Sequence, residues 1–120
     1  MADITASKAA FNSGVALTLN DATASQTIGI DDVADERAII IIQNTNTVDG
    51  QTATIEIPAG DFLANCYGTL SVDVAKGAQS VIGPLEGMRY KNSASQFTVN
   101  VAVTASGTVS NVKLIPIKLP

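Results

Sequence analysis

The sequence has no histidine, no tryptophan and a single cysteine, and only 4% of its residues are aromatic and 15% charged. Each shortage removes a class of activity. Without histidine there is no ordinary general base near neutral pH, no Ser–His or Cys–His nucleophile pair, and little from which to build a zinc centre. An enzyme lacking histidine needs a carboxylate pair or an activated lysine, and the eleven acidic residues are scattered over turns and outward strand positions, with no two of them converging. The pattern therefore predicts a protein that is not an enzyme and takes no cofactor.

Cys66 stands alone, so no intrachain disulfide forms and a disulfide-stapled scaffold is excluded. Its setting, Asn65-Cys66-Tyr67-Gly68, holds no cationic cluster to lower the thiol pKa, which favours a small apolar residue over a reactive thiol. Net charge is −4, with no basic stripe, which argues against nucleic acid and against an anionic membrane as partners. No glycine-rich phosphate loop follows a strand. No apolar run approaches the ~20 residues that span a bilayer. The start, Met1-Ala2-Asp3, carries no charged segment followed by an apolar one, so synthesis in the cytoplasm is expected.

What is present is strand. At 120 residues, with 46% hydrophobic, the chain suits one domain with one core. Its most concentrated apolar feature is the run of four isoleucines in Glu36-Arg37-Ala38-Ile39-Ile40-Ile41-Ile42-Gln43-Asn44, bracketed by Glu36-Arg37 and by the turn-forming run Gln43-Asn44-Thr45-Asn46-Thr47. A half-buried strand alternates apolar and polar residues, so an unbroken isoleucine run predicts a central strand covered on both faces. One cover is a second sheet; the other is a further element or another subunit.

Residues Met1 to Gly14 hold only Ile4 and Phe11 as large apolar groups and show no strand or helix period, so they read as an arm. Val15-Ala16-Leu17-Thr18-Leu19 alternates as a first strand, and a second lies around Gln26-Thr27-Ile28. Asp31, Asp32 and Asp35 form an acidic loop whose oxygens could ligate calcium, although their spacing does not match an EF-hand and a solvated loop is the alternative. Ala53, Ile55 and Ile57 point inward from the next strand, between Thr52, Thr54 and Glu56. Leu70 to Val74 and Ala78 to Ile82, joined through Lys76-Gly77, read as a hairpin. Gly83-Pro84 breaks this strand and Leu85 to Lys91 resumes it.

Phe97, Val99, Val101 and Val103 mark the clearest amphipathic strand. In the last strand, from Thr108, Val109 and the pair Val112, Leu114 differ in parity, which predicts a bulge near Ser110-Asn111. Ile115, Ile117 and Leu119 then fall on the face opposite Val112 and Leu114, and Pro116 marks an edge whose outer side is apolar. The expected fold is all-β: a single β-sandwich of jelly-roll or immunoglobulin-like type with eight to nine short strands over residues 15–120, preceded by an arm over 1–14.

Glu86 and Arg89 flank Gly87, and in an extended strand residues three apart point to opposite faces, so either could reach a neighbouring subunit. Sugar binding is the chemical rival, yet Tyr67 and Tyr90 are the only amphipathic aromatics and a core can claim both. The succession Glu36-Arg37-Ala38-Ile39, Gln43-Asn44, Pro58-Ala59-Gly60-Asp61, Gly77, Gly83-Pro84-Leu85-Glu86 and Arg89-Tyr90 resembles the small β-sandwich head decoration, or cement, proteins of tailed bacteriophages, over residues 35 to 117. That resemblance implies a protein without chemistry on the capsid exterior, made in the bacterial host cytoplasm. It also implies a partner, the major capsid protein, whose neighbouring subunits such proteins bridge, often as homotrimers. On the present residues the expected interface is Ile4, Phe11, Glu86, Arg89, Ile115, Ile117 and Leu119. A carbohydrate- or receptor-binding module of a virion and a tail structural subunit are the alternatives.

Overall fold

The computed structural model describes residues 2–10, 12–29, 37–61, 68–85 and 90–120. Among these the strands are β1 (Ala2–Thr5), β2 (Ser7–Lys8), β3 (Asn20–Asp21), β4 (Ser25–Gly29), β5 (Ala38–Asn44), β6 (Ala53–Ile57), β7 (Leu70–Val74), β8 (Gln79–Ile82), β9 (Gln96–Val103) and β10 (Val112–Lys118). They form two sheets, β1-β4-β9-β6-β7 and β2-β10-β5-β8, with β3 also paired to β10. The all-β sandwich expected from strand spacing is thus the architecture. Its smallest dimension, 21 Å, fits two stacked layers with their side chains.

The isoleucine strand is central, as its pattern demands. β5 pairs with β10 on one side and β8 on the other. Its residues alternate between buried and half-buried: Ala38, Ile40, Ile42 and Asn44 face the core while Ile39, Ile41 and Gln43 face outward. Ile28, Ile40, Ile42, Ile55, Ile57, Phe97, Val99, Val112 and Leu114 fill the space between the sheets, each at most 1% exposed. Ala53, Ile55 and Ile57 point inward as their alternation requires.

One end of the sandwich is joined by amides. Asn44, 1% exposed, sits at the end of β5 and donates to the carbonyl oxygens of Val74 in β7 (3.0 Å) and Gln51 (2.9 Å), both belonging to the opposite layer. Its Oδ1 accepts from the backbone N–H (3.1 Å) and side-chain amide (2.8 Å) of Asn46. Asn46, 4% exposed, in turn donates to the Thr108 carbonyl (3.2 Å) and accepts from the Thr108 N–H (3.0 Å). Gln26, fully buried, is satisfied the same way, by the Thr23 N–H (2.7 Å), the Thr23 hydroxyl and the Val99 carbonyl. Each buried amide is stabilising only because its partners are present.

Several sequence expectations are corrected. Residues 2–8 are not an unpaired arm: β1 runs parallel to β4 and β2 parallel to β10, so this segment closes one flank of both sheets. Ile4 and Ala6, 8% and 5% exposed, enter the core cluster, which offsets the ordering entropy that a thin segment otherwise could not recover. Val15 to Leu19 alternate like a strand but form none; the strand begins only at Asn20. β7 and β8 are not a hairpin, because β7 pairs with β6 in one sheet and β8 with β5 in the other. The parity change before β10 comes from a 3-10 turn, Val109–Asn111, rather than a bulge. Nor is β10 an edge, since β5 lies along one side and β3 and β2 along the other. Leu85 is buried and Lys91 bridges Phe97, while residues 86–89 lie outside the described part.

The β9–β10 connection carries local strain. Gly107 N–H donates to the Thr104 carbonyl (3.1 Å), and the two residues between, Ala105 and Ser106, have φ of 54° and 59°. Both lie in the left-handed region that asparagine and glycine enter more readily than alanine or serine. Gly107 itself is required by space, as a Cβ there would meet Val103 Cγ1 at 2.2 Å.

Two measurements follow from the fold. In chemical denaturation, Ile42→Ala should cost about 2–5 kcal/mol by leaving a core cavity, and Ile41→Ala, one residue along but on the outer face, about 1 kcal/mol or less. Equal losses would mean that the strand's two faces are not distinguished. Ala105→Gly should raise stability by about 0.5–1 kcal/mol by removing a Cβ from left-handed backbone, and a lower midpoint would contradict the turn geometry.

Candidate functional site

The strand registers give each outer face as a set of rows. On the β1-β4-β9-β6-β7 sheet the outward rows are Thr5, Gly29, Gln96; then Asp3, Thr27, Thr98; then Ser25, Asn100, Glu56, Ser71; then Ala102, Thr54, Asp73. Every side chain is small or polar. The three carboxylates carry no cation within these rows; Asp3 accepts from the Thr27 hydroxyl and Asp73 from the Thr54 hydroxyl (2.9 Å). A shallow depression of about 210 Å³ opens on this face, lined by Ala24, Thr54, Glu56, Asn100, Val101 and Ala102.

The other sheet presents the opposite chemistry. Its outward rows are Gln79, Gln43, Lys113, Asp21; then Val81, Ile41, Ile115; then Ile39, Ile117, Ser7. The first row is polar, and Lys113 is held at its end by Asp21 (2.5 Å) and the Ser110 carbonyl (3.0 Å). The next two are apolar apart from Ser7. Val81 is 59% exposed, Ile39, Ile41 and Ile117 are half-buried, and Ile115 is 2% exposed. The isoleucine run is therefore shared between a core and an outward apolar strip, which is why alternation was absent from it.

Of the expected interface residues, the structure brings Ile115 and Ile117 together on this strip, beside Ile41 and Ile39, but Ile115, 2% exposed, presents no more surface to a partner than Ile4 does, and Ile117 is half-buried. Leu119 follows on the same parity, half-buried, its N–H bonded to the Arg37 carbonyl. Ile4 is elsewhere, inside the core on the flank strand, so it displays no side chain to a partner. Phe11, Glu86, Arg89, Cys66 and the acidic trio Asp31, Asp32 and Asp35 lie outside the described residues. Sequence reading missed Val81, whose alternation with Gln79 along a four-residue strand was too short to stand out, and missed the Asn44–Asn46 network, whose residues read only as a turn.

Among the described residues no group of three or more histidine, cysteine, aspartate or glutamate side chains is placed to hold a metal ion. No described helix is long and apolar enough to cross a membrane. No protein-family model matches the chain, and neither the curated proteins nor the solved structures contain a significant match.

Proposed function

We propose that this chain is a non-enzymatic structural protein of a virion, which binds the exterior of an assembled capsid and bridges neighbouring major capsid subunits, acting as a homo-oligomer, most simply a trimer. The observation that carries this reading is the unequal pair of outer faces: one is small or polar throughout, the other has two largely apolar rows, Val81, Ile41, Ile115 and Ile39, Ile117, Ser7. Exposed apolar patches rimmed by polar residues mark interaction sites, protein–protein contacts among them. The lack of histidine and the resemblance of residues 35–117 to bacteriophage head decoration proteins support the same function.

A second reading, a carbohydrate- or receptor-binding module of the virion, is favoured by the depression beside Thr54, Glu56 and Asn100, where hydroxyl, carboxylate and amide converge. It has hydrogen-bonding groups but no aromatic platform in its lining.

Cosedimentation with empty bacteriophage capsids, set against a glycan array, separates the two. On the structural reading the protein decorates shells, Val81→Asp weakens occupancy by about tenfold or more while the variant stays folded, and Glu56→Gln has no effect. Glycan binding that Glu56→Gln abolishes, without shell binding, would replace the first reading with the second. A protein that binds neither, and is monomeric by light scattering at micromolar concentration, would overturn both.

A further inference from the structure

The flank of β10 that faces away from β5 is held by two different pieces of the N-terminal region. β3 pairs antiparallel, with Asn20 opposite Leu114 and Asp21 opposite Lys113. β2 pairs parallel, with Ser7 opposite Ile117 and Lys8 opposite Lys118, and Ala9 N–H adds a bond to the Lys118 carbonyl (2.8 Å). Between them, opposite Ile115 and Pro116, the flank has no described strand.

Continuing the β3 ladder toward the N-terminus shows what β2 displaces. In that register Leu19 falls opposite Ile115, Thr18 opposite Pro116, Leu17 opposite Ile117, Ala16 opposite Lys118 and Val15 opposite Leu119. Every outward position then sets apolar against apolar: Leu19, Leu17 and Val15 beside Ile115, Ile117 and Leu119. The match also explains two observations otherwise unconnected. Residues 15–19 carry a strand's alternation yet form no strand, and their apolar members are left 41%, 46% and 53% exposed. Leu17 cannot take its place because Ser7 already occupies the edge beside Ile117. The stretch from Asn12 to Asn20 contains no charged residue that would oppose the move.

We propose that β2 and the segment Val15–Leu19 are alternative occupants of one edge of β10, so that Ser7–Lys8 form a releasable strand whose departure is compensated within the same chain by extension of β3 along β10. Release of an edge strand ordinarily exposes a row of unpaired backbone groups. Here the extension covers the β10 groups that β2 leaves and sets Leu19, Leu17 and Val15 beside Ile115, Ile117 and Leu119 on the outward face, reducing the exposure of all three. Thr18 lies opposite Pro116, which offers a carbonyl and no donor, so the extended ladder is interrupted at one position at most. If the protein binds shells as proposed above, the released strand is free to add to a neighbouring subunit; that consequence rests on the shell reading, whereas the exchange itself is a property of the isolated chain and is tested there.

The test sets two crosslinks in competition. In a background with Cys66, the single native cysteine, replaced through Cys66→Ser, the substitutions Ser7→Cys, Leu17→Cys and Ile117→Cys are combined and the protein is equilibrated in a glutathione redox buffer. Peptide mapping then counts the 7–117 and 17–117 disulfides. The 7–117 bond should predominate with a minor 17–117 population, and adding Ile4→Asp, which opposes burial of β1, should raise the 17–117 fraction by about tenfold or more. Independently, Ile4→Asp in the otherwise unmodified chain should slow amide exchange at Leu17 and Leu19 by about tenfold or more while β5 and β9 stay protected. A 17–117 fraction unmoved by Ile4→Asp, or unchanged exchange at residues 15–19, would overturn the proposal. So would global unfolding of the Ile4→Asp protein, since the proposal requires the flank to be refilled.

Discussion

The side-chain amide of Asn44 is where the two sheets are joined by something other than packing. Dispersion and burial hold the layers face to face but leave them able to slide; a buried amide with four partners does not tolerate such displacement, because each lost bond strands a polar group away from water. Asn44 reaches from the end of the isoleucine strand to β7 and to the approach of β6, and through Asn46 to the turn before β10. Strands from both sheets are thereby indexed to β5 at one end. At the other flank the indexing is done by the N-terminal segment, which contributes β1 to one sheet and β2 to the other.

That frame leaves the two outward surfaces to differ freely, and they do. Hydroxyls, amides and carboxylates cover the β9 side, where Glu56 and Asn100 stand side by side. The β5 side carries Val81, Ile41 and Ile115 in a row across three strands. Of these Val81 is 59% exposed, Ile41 half-buried and Ile115 2% exposed, and this row is the observation on which the proposed association rests. The half-burial of Ile39, Ile41 and Ile117 makes the strip modest in exposed area.

Parallel pairing sets the N-terminal strands apart. β1–β4 and β10–β2 are the parallel pairs in a molecule whose other described pairs are antiparallel. Parallel pairs are slightly less stable per residue, and β2 contributes only two residues. The flank of β10 thus combines a short occupant with a longer, apolar, unpaired segment in register to replace it, the arrangement from which a conformational exchange is built.

Local pattern alone determined most of the strands and the direction of their side chains. The alternations Ala53, Ile55, Ile57 and Phe97, Val99, Val101 were legible because one face of each strand meets the core and the other meets water. The isoleucine run was legible as central for the converse reason, and Ile115 with Ile117 could be placed on the face opposite Leu114 by parity. What residues do not encode locally is which strand lies beside which. Val15 to Leu19 have a strand's alternation, but strand formation requires an edge, and the edge went to Ser7 and Lys8. Residues 2–8 look too thin to order, but the cleft between β4 and β10 supplies the burial that Ile4 and Ala6 lack by themselves. Asn44 and Asn46 read as turn formers, and only the approach of Val74, Gln51 and Thr108 from distant parts of the chain makes them a clamp. Alternation reports a residue's own exposure to water, whereas pairing, competition for an edge and satisfaction of buried amides depend on partners tens of residues away, which only the tertiary structure brings together.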